Sequence, residues 1–351
     1  MKEKMLISII IPVYNGEGRI KKCVESLMPQ ITDDMEVIII NDGSCDGTKR
    51  VCEYLSNSYP NLKVLNQKNS GVSNARNKGI DCASGEFLLF LDDDDEYHIK
   101  DIMSYILVMQ NEGADIGVFG IIKKIGSRHI DCRALFDEEY RVYSGENLSR
   151  LTRWVIDRNP VLVKELPCSD DKGNELEYAF RIGSPCSKIF RKSSIGTIRF
   201  DDMLSISEDL IFVYDVFRKC SKVIIFRDSI YSYSIVQGSV TNSNFLKNGQ
   251  RAYYELGRAF YNRIDDYDDL FKNAIKKRII ECAWRGIKTG ICSNKQLGWK
   301  DKLIAVRKYI SLDIYKFAAC NVKNYNNMVD YIKYCLIRFK LYALIVLING
   351  E

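Results

Sequence analysis

Four consecutive aspartates, Asp92 to Asp95, follow directly on the apolar run 87–91. Adjacent carboxylates repel one another and cannot be buried without partners. If the chain stays extended there, Asp92 and Asp94 point to one side of the strand and Asp93 and Asp95 to the other. Two hard oxygen ligands at the end of a rigid strand suit Mg²⁺ or Mn²⁺ that holds a phosphate-bearing ligand. The alternative is a solvated acidic turn.

A second acidic pair, Glu208 and Asp209, precedes a segment whose apolar residues have helical spacing. Acidic residues in a first helical turn are stabilised by the helix dipole, and Ser207 is a candidate N-cap. The pair therefore needs no catalytic explanation when it is taken alone.

Strands of the fully buried type alternate with helical segments in the first part of the chain, which predicts a doubly wound α/β sheet. The predicted strands are 6–13, 36–40, 62–65, 87–91 and 115–122. Helices are predicted over 17–28, 49–56 and the later part of 69–82, with Asp46 or Thr48 as a cap. Right-handed crossovers place the strand-end loops on one rim, where ligands of such sheets bind.

Two of these loops carry polar groups with more than one interpretation. Asp42, just past a strand, could accept a hydrogen bond from a base or ribose, or could form an Asx-turn. The helix start at 69–79 brings free N–H groups and Arg76 together, which favours an anion, although a capped surface helix is the alternative. Neither G-x-G-x-x-G after a strand nor G-x-x-x-x-G-K-[ST] occurs, which argues against a dinucleotide dehydrogenase and a P-loop kinase.

Composition places the chain among ordinary globular proteins. It has 351 residues, 46% hydrophobic and 28% charged, enough for one large domain or two. None of the 12 cysteines forms a C-x-x-C pair, so no zinc or thioredoxin-type site is expected. With no cleavable signal peptide and no apolar run of about 18 residues, we expect a cytoplasmic protein.

Four ordered motifs within the first hundred residues resemble those of the family-two glycosyltransferases, which are inverting, metal-dependent enzymes with the GT-A fold. They are Ile-Ile-Ile-Pro-Val-Tyr-Asn at 9–15, Asn-Asp-Gly-Ser-x-Asp-x-Thr at 41–48, Asn-Ser-Gly-x-x-x-Ala-Arg-Asn-x-Gly at 69–79 and Phe-Leu-Asp-x-Asp-Asp at 90–95. The resemblance implies a GT-A doubly wound mixed sheet followed by a C-terminal helical region. It also implies a UDP-sugar donor and a role in making bacterial surface polysaccharide.

The resemblance also assigns site residues. Asp94 would ligate Mn²⁺ or Mg²⁺ through the D-x-D pattern, together with Asp92. The residues expected at the donor nucleotide are Pro12, Val13, Tyr14, Asn15, Asp42, Ser73, Arg76, Asp92 and Asp93.

The same resemblance gives Glu208 and Asp209 a catalytic interpretation, because the stretch 184–192 resembles the family segment that precedes its Glu-Asp motif. Asp209 would be the general base, since a sugar hydroxyl is a poor nucleophile until its proton is removed. A metal on the opposite side of the anomeric carbon compensates the charge of the leaving UDP, which gives inversion. A helix N-terminus should lower the pKa of a carboxylate, so its basicity is in tension with its position.

The segment 231–241 resembles the tyrosine-rich segment of the family and is expected to close over the donor diphosphate. The chain departs from many GT-A enzymes in lacking a downstream metal-binding histidine. Its two histidines, His98 and His129, are not in that position, so water or Ser239 would complete the coordination.

Positive charge is concentrated in the C-terminal part, which is predicted to be helical from about residue 242. Residues 272–310 hold eleven Lys or Arg and two acidic residues. A basic helical face predicts peripheral attachment to a membrane that carries a lipid-linked acceptor. The alternative is a solvated charged face over a packing or dimerising helix. No nucleic-acid partner is expected, and a homodimer stays open.

The predicted organisation is a GT-A domain over 1–241, with a nucleotide-binding half at 1–115 and an acceptor-binding half at 116–241, then the helical region 242–351. A sugar nucleotidyltransferase is the rival enzyme class, but it would need a glycine-rich basic loop after the first strand, and residues 12–18 are not one. A non-catalytic nucleotide-binding protein is the third hypothesis.

Overall fold

The computed structural model describes residues 6–126, 128–134, 136–157, 182–234, 249–264, 269–320, 322 and 328–349. These residues form two compact units. The first unit contains the β-sheet and the helices packed on it, and the second consists mainly of the helices from residue 249 onward.

Four parallel strands form the part of the sheet that the sequence predicted most clearly. They are β1 (Ile7–Val13), β2 (Met35–Asp42), β3 (Leu62–Gln67) and β4 (Phe87–Phe90). The crossovers contain α1 (Ile20–Leu27), α2 (Thr48–Ser58) and α3 (Val72–Cys82). β1 pairs with β2 on one side and with β4 on the other, so the winding direction reverses between β1 and β4. Ligands of open α/β sheets bind at such a switch point.

Later strands extend this sheet with mixed polarity. They are β5 (Glu96–Tyr97), β6 (Ile116–Ile125), β7 (Arg128–Cys132), β8 (Tyr140–Ser144), β9 (Lys188–Arg191) and β10 (Lys222–Ser234). The strand order is β3-β2-β1-β4-β9-β6-β10-β5, with β7 on β6 and β8 on β10. β9 is antiparallel to both β4 and β6. The expected doubly wound mixed sheet of GT-A type is therefore confirmed.

The remaining helices of the first unit are α4 (Ile102–Glu112), α5 (Gly145–Asp157), α6 (Lys192–Ile195) and α7 (Glu208–Lys219). An aromatic cluster joins α7 to the central strand β4. The rings of Phe200 and Phe212 stack at 3.8 Å, and Phe90 meets them edge-on at 5.5 and 5.9 Å. This packing fixes the start of α7 near the end of β4, because protein interiors are too densely packed to allow either element to shift independently.

One local prediction was wrong. The extended conformation considered for the aspartate run does not occur, since β4 ends at Phe90 and the N–H of Asp95 donates to the carbonyl of Asp92 at 3.1 Å. Adjacent carboxylates separate more easily in a turn than in a strand. The segment 140–157 begins with β8, which pairs with β10, and continues as α5. Residues 158–166 lie outside the described ranges.

The second unit is helical in its described parts, as predicted. Its helices are α8 (Gly249–Tyr261), α9 (Asp269–Gly286), α10 (Trp299–Ile310), α11 (Asp313–Ala318), α12 (Met328–Arg338) and α13 (Tyr342–Asn349). α9 continues into a π-helical turn, Ile287–Cys292. Apolar residues that recur near every fourth position of this sequence are all buried, namely Ile275, Ile279, Ala283, Ile287 and Ile291. The predicted domain boundary after residue 241 falls outside the described residues and stays a prediction.

No helix within the described ranges combines the length and the apolar character that crossing a membrane requires.

Candidate active site

Arg76 on α3 joins the acidic residues from the two predicted motifs. One terminal nitrogen lies 2.9 Å from Oδ1 of Asp92, and the other lies 3.4 Å from Oε1 of Glu208. The side chain is only 6% exposed, and its guanidinium lies 5.3 Å from the ring centre of Phe200. A planar, permanently charged guanidinium suits such a double contact better than an ammonium group would. The end of β4 and the start of α7 are therefore connected by one buried cation.

The ionisation of this cluster follows from burial and charge together. Burial opposes the charge of Arg76, but Asp92, Glu208 and Asp209 outweigh it and raise the pKa of Arg76 above its usual range. Burial, followed by the neighbouring charge of Asp209, raises the pKa of Glu208, although Arg76 acts in the opposite direction. Ionisation of Glu208 is thus disfavoured by the negative charge of Asp209 in the same helical turn. Oδ1 of Asp209 accepts the backbone N–H of Leu210 at 2.7 Å.

We expect Arg76→Gln to lower kcat for sugar transfer by about a hundredfold, because a shift of about 1 Å in a positioned group can cost that much. The glutamine would leave Asp92 and Glu208 without their shared cation. Arg76→Lys should recover part of the loss, since an ammonium group keeps the charge but not the fork. The measurement is kcat and KM for the donor, with Arg199→Gln as control, at a half-buried arginine that pairs with Asp81. A wild-type kcat in Arg76→Gln would contradict the positioning role.

Within the described ranges, three carboxylates of the aspartate run pair with groups elsewhere in the protein, and Asp94 does not. Asp93 pairs with Arg19 at 2.9 Å, yet burial still raises the pKa of Asp93 to about 6. Asp95 is buried and accepts the hydroxyl of Tyr231 at 2.6 Å and the N–H of Ser234 at 2.9 Å. Burial, then the charge of Asp92, raises the pKa of Asp95 to about 8. Asp93 and Asp95 therefore anchor the turn to α1 and to β10.

Asp94 differs from these neighbours. No other side chain in the described parts of the chain donates a hydrogen bond to Asp94 or forms an ion pair with it. Burial, then the charge of Asp92, raises the pKa of Asp94, although the charge of Arg19 acts in the opposite direction. Among the described residues no group of three His, Cys, Asp or Glu side chains could hold a metal. Mg²⁺ and related ions often take one or two carboxylates and complete their shell with phosphate and water. Asp94 and Asp92 fit that donor set.

The end of β1 supplies an exposed aromatic ring at the switch point. Pro12 and Val13 are buried within the strand, whereas Tyr14 is 46% exposed. Asn15 has a positive φ of 48° and fastens this corner to the next loop. Its N–H donates to Ser44 Oγ at 2.9 Å, and its Oδ1 accepts the N–H of Cys45 at 2.9 Å. The corner is held rigidly and leaves the Tyr14 ring accessible for stacking.

Two residues that were predicted to contact the donor nucleotide, Asp42 and Ser73, form hydrogen bonds within the protein. The buried carboxylate of Asp42 accepts the N–H groups of Ser70 and Gly71 at 2.9 and 2.8 Å and a side-chain N–H of Gln67 at 2.8 Å. Ser73, also buried, donates to the carbonyl of Asp201 at 3.1 Å. Both residues hold loops in place. Their contact with a nucleotide stays a prediction.

Several residues around the site were not predicted from the sequence. Cys186 is buried with its sulfur 3.7 Å from Asp92 Oδ2, and burial raises the pKa of this thiol. A polar cavity of about 10 Å³ lies beside it, lined in part by Asp92, Asp95, Ser187 and Tyr231. That volume is enough for about one water molecule. Arg19 belongs to no motif, and Cys186 lies in the family-like stretch 184–192, but no local pattern indicates its contact with Asp92, which is 94 positions away.

Part of the predicted donor lid and the remaining metal coordination cannot be located. Residues 231–234 form the end of β10, but 235–241, with Ser239, lie outside the described residues. His98, one of the two histidines, is engaged with Ser232 Oγ at 2.6 Å. The identity of any further metal ligand stays a prediction.

Lys188 on β9 is a fully buried lysine near Asp209, and burial lowers its pKa to about 7. Its Nζ donates to the carbonyl of Ser184 at 2.6 Å. In the unfolded state a lysine has a pKa of about 10.4, as in model peptides. Between the folded-state pKa of about 7 and this value, the unfolded state therefore binds more protons than the folded state. Lys188 therefore makes its full unfavourable contribution to the free energy of folding below about pH 7, and this contribution decreases as the pH rises.

We expect the difference in Tm between Lys188→Met and wild type to be most favourable to the variant near pH 6 and to shrink towards pH 9. The reason is that methionine removes a charge whose burial opposes folding only while the lysine is protonated. Thermal unfolding across this range measures it, with the exposed Lys68→Met as control. Parallel Tm profiles for Lys188→Met and wild type would contradict the prediction.

The model of one protein family, glycosyl transferase family 2, matches residues 8–196, which is more than half of the chain. The chain belongs to glycosyltransferase family 2. The match includes the four N-terminal motifs, Arg76, the aspartate run and Lys188, and it ends before Glu208 and Asp209. The resemblance inferred from the motifs is thereby confirmed.

Among curated relatives, the glycosyltransferase EpsJ of Bacillus subtilis, described as uncharacterised, is 26% identical over 265 residues. The alignment covers 73% of this family-2 chain and 70% of EpsJ. The matches to YibD of Escherichia coli and to GlyA of Streptococcus pneumoniae span only 27% and 31% of those proteins.

Among solved structures, residues 1–349 of S. aureus TarS in complex with UDP-GlcNAc have a TM-score of 0.62 at 20% identity. That comparison covers 96% of this chain and 91% of the TarS chain, including the helical C-terminal region. The mannosyltransferase PcManGT of Pyrobaculum calidifontis, solved with GDP-Man and Mn²⁺, has a TM-score of 0.50 at 12% identity and covers 98% of this chain and 86% of that one. At these identities the likeness establishes the fold.

Proposed function

We propose that this chain transfers a sugar from a UDP-sugar to a carbohydrate hydroxyl by a single inverting displacement. The observation that carries the proposal is the double contact of Arg76, with Asp92 at 2.9 Å and Glu208 at 3.4 Å. It places the acidic start of α7 next to the carboxylate that follows β4. A site for a sugar nucleotide and a site for proton removal are thereby adjacent.

In this proposal the residues divide into donor-holding and proton-accepting groups. Tyr14 stacks on the base, while Asp92 lies on the ribose side and Arg76 keeps Asp92 in position. Asp94 and Asp92 would hold Mn²⁺ or Mg²⁺, and the bound ion would supply positive charge to the departing diphosphate. Asp209 takes the proton of the acceptor hydroxyl as the oxygen attacks the anomeric carbon.

Glu208 is a positioning residue in this scheme rather than the base. Its carboxylate faces Arg76 at 3.4 Å, and although burial and the charge of Asp209 raise its pKa, this buried cation acts in the opposite direction. Asp209 next to it accepts the backbone N–H of Leu210 at 2.7 Å. The negative charge of Glu208 should favour protonation of Asp209 during the reaction, and this partly offsets the effect of the helix N-terminus.

The acceptor that we propose is the carbohydrate of a lipid-linked intermediate in bacterial surface-polymer synthesis. The basic C-terminal region supports this class, because a lipid-linked diphosphate is anionic. A UDP-sugar donor is supported by the fold shared with TarS, which was solved with UDP-GlcNAc.

A screen of nucleotide sugars for slow release of nucleotide with Mn²⁺ present tests the proposal. We expect UDP to be released from one UDP-sugar without an acceptor, and much more slowly by Asp209→Asn. Release of pyrophosphate from a sugar phosphate and a nucleoside triphosphate would instead favour the nucleotidyltransferase. Binding of UDP-sugar without any turnover, with or without acceptor, would favour the non-catalytic hypothesis.

A further inference from the structure

Helix α13 (Tyr342–Asn349) carries no charged side chain, and its apolar residues cover more than one face. Only Ile345 and Val346 are buried. Leu344 and Leu347 are 47% and 55% exposed, and Ile348 is exposed as well. Surface helices normally present one apolar stripe to the core and polar residues to water. The outward apolar face of α13 is therefore available for contact with something other than the described protein.

This exposed face continues into a groove between α13 and α10. The groove has a volume of about 510 Å³ and is lined by Leu303, Ile304 and Arg307 of α10 and by residues 340–344. Ile304 is 67% exposed. Large contiguous apolar patches of this kind are rare on monomeric soluble proteins and usually mark an interaction surface.

Positive charge surrounds the groove. Arg307 and Lys340 line it, and Lys300 and Lys308 are exposed on α10. Residues 299–349 contain nine Lys or Arg and three Asp, a local charge of +6. An exposed apolar face with a basic rim matches a surface that offers negative charge above an apolar layer.

We propose that α10 and α13 dock on the surface of an anionic lipid bilayer. Leu344, Leu347 and Ile304 enter the boundary between headgroups and acyl chains, while Arg307 and Lys340 lie at the level of the lipid phosphates. A second copy of the chain fits less well, because a two-fold contact through this groove would bring the basic rim close to its own symmetry mate. The proposal does not depend on the donor site.

Flotation of the full chain with vesicles tests the proposal. We expect binding at low salt to vesicles that contain phosphatidylglycerol, and much weaker binding to phosphatidylcholine alone. The double variant Leu344→Ser/Leu347→Ser should bind at least about tenfold more weakly, since two large apolar side chains no longer enter the bilayer. Leu107→Ser, at a 57% exposed leucine on α4, is the matched control and should bind like wild type.

The charge contribution is tested separately with Arg307→Gln/Lys340→Gln. Each basic residue near an anionic surface contributes about 1 kcal/mol, so we expect about a tenfold or larger loss and a weaker dependence on salt. Slow UDP release by each variant, measured without lipid, confirms that it is folded. If that activity is absent in wild type as well, flotation still tests docking, with thermal unfolding as the folding control.

Three results would overturn the proposal. The first is the absence of binding to anionic vesicles at low salt, and the second is binding by Leu344→Ser/Leu347→Ser that equals wild type. The third is a wild-type dimer that the same double variant dissociates while neither protein floats, which would assign the face to self-association.

Discussion

Asp209→Asn should reduce sugar transfer by about a hundredfold to ten-thousandfold, the range that a positioned general base contributes. Asparagine keeps the shape of the side chain but cannot accept the proton of the acceptor hydroxyl. Affinity for UDP should stay close to wild type, because Asp209 is on the acceptor side of the proposed displacement. The measurement pairs kcat for transfer with calorimetric binding of UDP in the presence of Mn²⁺.

The controls for Asp209→Asn separate the base from its neighbour and from general damage. Asp215→Asn changes an aspartate six residues further along α7 and should retain activity. Glu208→Gln should lower kcat less than Asp209→Asn, because Glu208 acts through Arg76 and through the charge that it places beside the base. Near-normal turnover by Asp209→Asn, together with loss of turnover in Glu208→Gln, would transfer the role of base to Glu208.

Asp94→Ala should weaken UDP binding in the presence of Mn²⁺ by about tenfold to a hundredfold or more. Loss of a residue that only orients a metal ligand already reduces metal affinity by about that factor. Asp94 has a partly buried carboxylate that no other side chain in the described ranges pairs with. Removing it leaves Asp92, which is already shared with Arg76. Weak UDP binding without the ion should be nearly unchanged, and a chelator should reduce wild type to the level of the variant.

Asp101→Ala, at an exposed aspartate before α4, is the control for this substitution and should bind UDP like wild type. The same titration with Mg²⁺ in place of Mn²⁺ gives the metal preference of the site. Metal-dependent UDP binding that is unchanged in Asp94→Ala would contradict the assignment of Asp94 as a ligand.

The parallel core of the fold was readable from the sequence for a simple physical reason. β1, β2 and β4 are buried on both faces, so their apolar residues run without alternation, and the loops between them contain Asn, Gly and Asp. The predicted strand 6–13 differs by one residue from the observed Ile7–Val13. Periodicity also found α9, because one face of that helix is buried.

Other features depend on contacts between residues that are far apart in the sequence. β8 was not among the strands predicted from the sequence, and its pairing with β10 is a contact between distant segments. Asp42, predicted just past a strand, is the last residue of β2, and its engagement with the N–H groups of Ser70 and Gly71 is a tertiary contact. The bridge that Arg76 forms to Glu208 spans 132 positions, and no local pattern specifies such a pair.

The acidic turn illustrates both cases. Its position at the carboxyl end of a buried strand followed from the sequence, whereas the partner of each aspartate did not. Arg19 holds Asp93, and Tyr231 holds Asp95, so the protein itself satisfies two of the carboxylates. This division leaves Asp94 as the carboxylate best suited to an added cation.

A crystal structure of the full chain with UDP and Mn²⁺ tests the central claim most directly, because anomalous scattering locates the ion. The account predicts manganese within about 2.2 Å of an Asp94 oxygen, a usual distance for such an ion, with the UDP diphosphate completing its shell and the base against Tyr14. Manganese distant from Asp94, or UDP bound in another cleft, would contradict it.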